Sequence, residues 1–394
     1  MSVANGYGKI ITSGSIFAYD TGDFKNSYIG EPTTNYQNGI SPWTVGGVNT
    51  DVSNTIDQGP IANAKTWKFE KTGTSNQWNG WEDTYGGIWT GNSGDIWTTS
   101  YWYKTTAPAG STAFGIGYFY LSNWSAPYNT SILANSNGII ADGQWHYNYT
   151  TTQFNENYSN AIIVDGPSWG YSTQAGTLYI NGLQWEKKSH PTPFAGYTRS
   201  VTQGLLPIVS NQTLNLSAVS FDTNAQMIFD GTNDKIDTGL GNIGNNVSFA
   251  AIINSAGSAN EYNMYMGQLL PYMGAYAGVL IIFSDYIDSV QRTINTNSGT
   301  IVTGQNHYVV CTREYDGSST TNKIYIDGKL LNSGTWSGAP TYVGYNITVG
   351  DGRSTSTWYP FYGKVNATQI YNRTLTAGEI EQNYQHYKTR FNLS

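Results

Sequence analysis

Short runs of β-branched and aromatic residues, separated by Gly-containing turns, recur along the chain. Ile96-Trp97-Thr98-Thr99-Ser100-Tyr101-Trp102-Tyr103 is long enough for one strand, with Trp97 and Trp102 on opposite sides of it. Thr177-Leu178-Tyr179-Ile180 runs into Asn181-Gly182 and then Leu183-Gln184-Trp185-Glu186. Asn-Gly suits the two φ-positive positions of a type I′ turn, so a two-residue hairpin is expected there. Lys323-Ile324-Tyr325-Ile326, Asp327-Gly328 and Lys329-Leu330-Leu331 predict a second hairpin by the same device. Only the C-terminal segment reads as a helix. Thr376-Ala377-Gly378-Glu379 fits a capping box, and Ile380, Tyr384, Tyr387 and Phe391 then fall on one helical face.

Turn-rich stretches divide the chain. Gly30-Glu31-Pro32-Thr33-Thr34-Asn35 interrupts the first strand region, and Ser189-His190-Pro191-Thr192-Pro193-Phe194 ends the one after Glu186. Two prolines within three residues favour an extended connector. The 394 residues are enough for two to three domains. Charged residues make up 11% and aromatics 14%, with 45 glycines and 31 tyrosines, a profile of all-β sandwiches. The net charge is −7 and basic runs are absent, which argues against nucleic acid as a partner. The single cysteine, Cys311, forms no intrachain disulfide and reads as a small core residue. Nothing approaches the roughly 18 apolar residues of a membrane span, so no membrane insertion is expected. Met1-Ser2-Val3-Ala4-Asn5-Gly6 lacks the features of a Sec signal peptide. Adhesive surface chemistry without an export signal or disulfide suits a protein assembled into virus particles inside the host.

Several stretches, in order, resemble the concanavalin-like, laminin-G-like family. They are Met227–Ile236, His307–Arg313, Ile324–Lys329, Ile347–Gly350, Gly363–Thr376 and Glu379–Tyr384. Residues 15–29 resemble the first strand and loop of the same family, displaced by some 170 residues from the motif that normally follows. The intervening part resembles a carbohydrate-binding-module jelly roll. Its ending, Leu183–Phe194, is similar to a closing segment common in tailed-phage virion proteins. The resemblance implies an all-β fold of two jelly-roll β-sandwiches, one nested in the other, with a short C-terminal helix. Residues 1–30 and 199–394 would form the concanavalin-like sandwich and 31–198 the inserted one.

The function this implies is that of a phage virion structural protein: a head fibre, a capsid decoration protein or a tail-associated adhesin contacting surface glycans. Its expected partners are glycans and other virion proteins, its expected location is the virion, and a homo-oligomer is expected from particle symmetry. Met1–Gly14 is the candidate attachment segment, an ordinary loose terminus being the alternative. Trp78, Trp81, Glu82, Asp83 and Tyr85 are the candidate glycan-binding residues, taken to lie in a loop. Aromatic faces stack on sugar C–H surfaces while amides and carboxylates hold hydroxyls; packing of Trp78 and Trp81 in the core is the competing reading. A glycan-degrading enzyme or its accessory module is one alternative, and a purely architectural capsid protein another. Glycoside hydrolysis needs two carboxyls roughly 5–10 Å apart, and no Glu-x-Asp-x-x-Glu pattern occurs, so no catalytic residue is assigned. His146 and His307, at two similar strand entrances, read as structural. No cofactor is expected. Asp230, Asn233 and Asp234 offer oxygen ligands for the structural calcium that members of the family often carry, with turn formation as the alternative.

Overall fold

The computed structural model describes residues 9–36, 41–44, 50–56, 59–62, 64–71, 79–82, 89–105, 114–115, 118–121, 140–153, 157–164, 168–169, 176–257, 262–276, 280–342, 344–352 and 359–393. Contacts divide these residues into two compact units. The first takes those within Met1–Pro32, Val201–Asp222 and Gln226–Ser394, the second those within Thr33–Ser200 and Thr223–Ala225. Both units are built from antiparallel strands.

In the first unit, Tyr362–Tyr371 lies beside Val247–Ser255, which is followed across the sheet by Asn306–Tyr315, Ser319–Ile326 and Lys329–Ser337. The other edge of Tyr362–Tyr371 is taken by Met227–Asp230 and by Ser15–Asp20, whose Phe17 stands opposite Ile370 and Asp20 opposite Ala367. A six-stranded sheet runs through Ile236–Asp237, Thr348–Val349, Tyr262–Gly267, Tyr272–Tyr276, Leu280–Ile287 and Val290–Asn295. Alternate residues of the two sheets meet in one core holding Phe17, Phe229, Phe249, Tyr265, Phe283, Val309 and Ile324. Cys311 is fully buried in it, as expected of a core residue, and burial pushes its thiol up.

Opposite the core, Ile252, Tyr308, Val310 and Tyr371 receive the helix Ala377–Lys388 through Ile380, Tyr384 and Tyr387. Ile10 and Ile11 pack on the same cluster, and Ile11 N donates to Asn383 Oδ1 at 2.8 Å. The far end of the candidate attachment segment is therefore docked on its own domain, while residues 1–8 lie outside the described residues.

The capping box is present. Glu379 N donates to Thr376 Oγ1 at 3.3 Å and Thr376 N to Glu379 Oε2 at 2.9 Å. Arg373 grips the same carboxylate at 2.6 and 2.9 Å, and it is the first cause holding the Glu379 carboxyl down at about 2. A depressed carboxyl stabilises the fold fully above its unfolded pKa of about 4.3, and that contribution fades as pH falls toward 2. Glu379→Gln is accordingly expected to cost on the order of 1 kcal/mol at pH 7. In urea melts taken across pH, the gap from wild type should close between about pH 5 and pH 2; a gap that does not vary with pH would contradict this.

The Asp327-Gly328 hairpin forms as expected, with φ of 49° and 80°. Its Asp327 carboxylate accepts Tyr308 N at 2.8 Å and faces His307 Nδ1 at 2.9 Å, while Val302 N donates to His307 Nε2 at 3.2 Å. His307 thus ties a strand entrance to a hairpin, a structural role. Asp234 Oδ2 accepts Ser220 N at 3.0 Å and Asp230 N at 3.1 Å, and Asp230 Oδ1 accepts Thr232 N at 2.8 Å. Both carboxylates serve the turn.

In the second unit a five-stranded sheet runs in the order His146–Gln153, Ile96–Thr105, Gly176–Glu186, Lys65–Lys71, Thr50–Ile56. Tyr118–Leu121, Tyr158–Val164 and Trp89–Gly91 form a three-stranded sheet. The chain enters and leaves the unit side by side, Thr33–Thr34 pairing with Thr198–Arg199.

Asn181-Gly182 corrects an expectation: it makes no hairpin. Gly176–Glu186 is one continuous strand, and against Ile96–Thr105 its register slips between Asn181 and Gln184. Gly182 supplies the extra residue of a β-bulge with φ of 65°. Asn181 is pinned, its amide accepting from Ile61 N at 2.9 Å and donating to Thr66 Oγ1 at 3.1 Å. The same φ-positive preference that makes Asn-Gly a turn serves here as a bulge, because Ile96–Thr105 pairs with the chain both before and after it and holds it extended. The bulge resets the alternation so that Ile180 and Trp185, five apart, are both buried in the core.

Candidate functional site

The bulged strand and its neighbours give the five-stranded sheet two contrasting faces. Trp97, Tyr101, Tyr103, Ile180 and Trp185 point into the unit and are at most 5% exposed. Trp97 packs on Trp185 at 5.7 Å and on Tyr36 at 5.1 Å between ring centroids. The opposite face carries the residues in between. Tyr147 pairs with Trp102 and Tyr149 with Ser100 across one strand boundary, and Tyr179 with Lys104 across the next. Directly opposed residues of antiparallel strands share a face.

One end of this face is closed. Gln184 and Glu186 would project there, but the segment after the strand folds over them. Glu186 accepts Thr33 Oγ1 at 2.6 Å, Gln184 Nε2 at 2.9 Å, Thr192 N at 2.8 Å and Thr192 Oγ1 at 2.7 Å. Gln184 Oε1 accepts Ala195 N at 2.6 Å, and Arg199 donates to Pro193 O at 2.9 Å. The stretch Leu183–Phe194 is therefore a clasp organised around a buried carboxylate.

The rest of the face is aromatic and open. Trp102 and Tyr147 lie 5.4 Å apart, and Tyr147 and Tyr149 6.4 Å, measured between ring centroids. The row continues through Trp145 and Tyr179 at 6.4 Å, with Lys104 Nζ 5.1 Å and 4.6 Å above those two rings. Tyr147 is 44% exposed and Tyr149 49%. Ile61, Ser100 and Pro193 stand beside Trp102, Tyr147 and Tyr149 along a groove. Partial burial against these neighbours pushes the Tyr147 phenol up. Among the described residues, the His146–Gln153 strand pairs with a neighbour on one flank only. An open row of aromatic rings with one cation and several hydroxyls suits stacking on a flat, hydroxyl-bearing ligand.

Of the residues singled out from sequence, Trp81 and Glu82 fall in the strand Asn79–Glu82, paired with Ser41–Thr44. The loop expected for them is thus corrected: pairing along four residues makes the segment extended. Trp78, Asp83 and Tyr85 lie outside the described residues. Tryptophan density alone misses Trp145, Tyr147 and Tyr149, whose signal in the sequence is an aromatic at every second position entering a strand.

Residues 220–381, all but Thr223–Ala225 in the first unit, match the family described as the Concanavalin A-like lectin/glucanases superfamily. A comparison with the curated proteins finds no match. Among solved structures, the chain is similar to the Ruminococcus gnavus IT-sialidase CBM40 bound to alpha2,3 sialyllactose. Identity is 14%, over 35% of this chain and 81% of that one, with a TM-score of 0.31. It is also similar to the botulinum neurotoxin serotype D binding domain, at 15% identity over 49% of this chain and 50% of that one, TM-score 0.36. A third is the Trypanosoma rangeli sialidase in complex with 2,3-difluorosialic acid, at 14% identity over 46% of this chain and 30% of that one, TM-score 0.34. The chain spans about half the length of the botulinum binding-domain structures it matches. Scores this low carry nothing about ligand or reaction.

Proposed function

We propose that the protein is a glycan-binding, non-catalytic adhesion protein, and that the open aromatic face of the second unit makes the contact. The observation that carries this is the row of Trp102 with the exposed Tyr147 and Tyr149 on a sheet whose other face holds the core. Each stacked ring contributes on the order of 1 kcal/mol, which places single-site affinity near millimolar and makes many copies useful. The non-catalytic reading is supported by the work three buried carboxylates already do: Glu186 holds the clasp, Asp234 a turn and Asp285 an arginine.

The finer placement, on a tailed-phage particle as a fibre, decoration protein or tail adhesin, rests on the likeness of Leu183–Phe194 to phage virion segments. The clasp chemistry gives that stretch a folding role that any jelly roll of this kind could use. Affinity electrophoresis tests the central reading: migration should be retarded in gels containing at least one soluble polysaccharide, with no reducing ends released from any. Unretarded migration through a broad panel would leave the architectural reading, and release of reducing ends would favour the enzyme.

A further inference from the structure

The first unit has a polar pocket of its own, built around a second β-bulge. In Tyr362–Tyr371, Ala367 stands opposite Ile252 and Val365 opposite Ile253, leaving Asn366 as the extra residue. Val365 belongs to the core between the sheets and Ala367 to the helix-side cluster. The bulge therefore lets Asn366 and Ala367 both sit on the outer face, where regular alternation after Val365 would turn Ala367 inward. There it meets two more asparagines. Asn306 Oδ1 accepts from Asn254 Nδ2 at 3.1 Å and from Asn366 Nδ2 at 3.0 Å, and Asn306 Nδ2 donates to Phe391 O at 2.7 Å. Asn254 Nδ2 also donates to Gly304 O at 3.0 Å.

These bonds fix which way each amide faces. The nitrogens of Asn254 and Asn366 are tied down, and their Oδ1 atoms accept no hydrogen bond among the described residues. Both residues line a pocket of about 380 Å³, together with Gln226, Lys364, Phe24 and Phe391. That volume is at the small end of the range for small-molecule sites, about 300–1,000 Å³. The two cations at its wall are already neutralised, Lys364 by Asp222 at 2.6 Å and Arg390 by Asp20 at 2.7 Å. Phe24, at the rim, is 60% exposed.

We propose that this pocket is a saccharide site for a neutral sugar. Ring hydroxyls donate to Asn254 Oδ1 and Asn366 Oδ1, and a C–H face rests on Phe24. Orientated acceptors call for a hydroxyl-bearing donor, and the paired cations leave no excess positive charge to recruit a carboxylate. The site is independent of the aromatic face, which belongs to the other unit.

Ligand-observed NMR on the full chain tests it, with glucose, galactose, mannose and N-acetylglucosamine as neutral probes and glucuronic and sialic acids as acidic ones. The protein used carries Trp102→Ala, Tyr147→Ala and Tyr149→Ala, so that the aromatic face contributes nothing. At least one neutral sugar should give a saturation-transfer signal, weakened about fivefold by Phe24→Ala and further by Asn366→Ala, with the melting temperature of the Phe24→Ala protein unchanged. A signal only from acidic sugars, no signal from any, or a neutral-sugar signal indifferent to Phe24→Ala would overturn the proposal.

Discussion

Asp285→Ala is expected to cost the first unit about 3–5 kcal/mol, because it strands a buried cation. Asp285 sits on Leu280–Ile287 between Phe283 and Ile287, both fully buried. Its carboxylate meets Arg313 Nη1 at 3.0 Å, and the two side chains are 0% and 4% exposed. Arg313 comes from Asn306–Tyr315 in the other sheet, so the pair ties the two sheets together. Its Nε donates to Asn245 O at 2.9 Å and its Nη2 to Gly244 O at 2.6 Å, and Asn322 Nδ2 donates to Asp285 Oδ2 at 3.3 Å. Removing one charge leaves the other desolvated without a partner; removing both, as in Asp285→Leu with Arg313→Met, should recover much of the loss. Urea unfolding of the two variants decides it. A single variant within about 1 kcal/mol of wild type would mean that water reaches the guanidinium and that the pair is not a true core element.

Trp185→Ala is expected to cost the second unit about 3–5 kcal/mol. Trp185 is fully buried against Trp97, and the cavity left by an indole cannot close where Ile96–Thr105 pairs with the backbone on one side and Asn35 and Tyr36 bond it on the other. The same truncation at Tyr149 should shift the melting temperature little, because that ring is half in solvent already. The contrast separates the two faces of one sheet. Equal losses at Trp185 and Tyr149 would show that the open face is as tightly packed as the core.

Much of this architecture was legible along the chain, and the exceptions share a cause. Local signals were reliable where the neighbours agreed with them: Asp327-Gly328 turns, and Thr376 with Glu379 caps the helix. Trp97 and Trp102 separate onto core and open face as strand alternation requires. Asn181-Gly182 shows the limit, since its backbone preference fits a turn or a bulge equally and pairing with Ile96–Thr105 both before and after it selects the bulge. Asn366 is a second case, because alternation within Tyr362–Tyr371 gives no warning that one residue will be extra. Glu186 looks like an ordinary polar end to a strand until Thr33, 153 positions earlier, is seen to donate to it. Dense tryptophans in the sequence point to Trp78 and Trp81. The spaced aromatics Trp145, Tyr147 and Tyr149 point to another place, where the Tyr147 and Tyr149 rings are about half in solvent.

The most direct test of the aromatic face compares wild type with the Trp102→Ala, Tyr147→Ala, Tyr149→Ala protein in the polysaccharide gels that retard wild type. With each ring contributing on the order of 1 kcal/mol, the variant should lose retardation about a hundredfold or more while circular dichroism still reports a folded β protein. Retardation unchanged in a folded variant would contradict the account and move the glycan contact elsewhere on the chain.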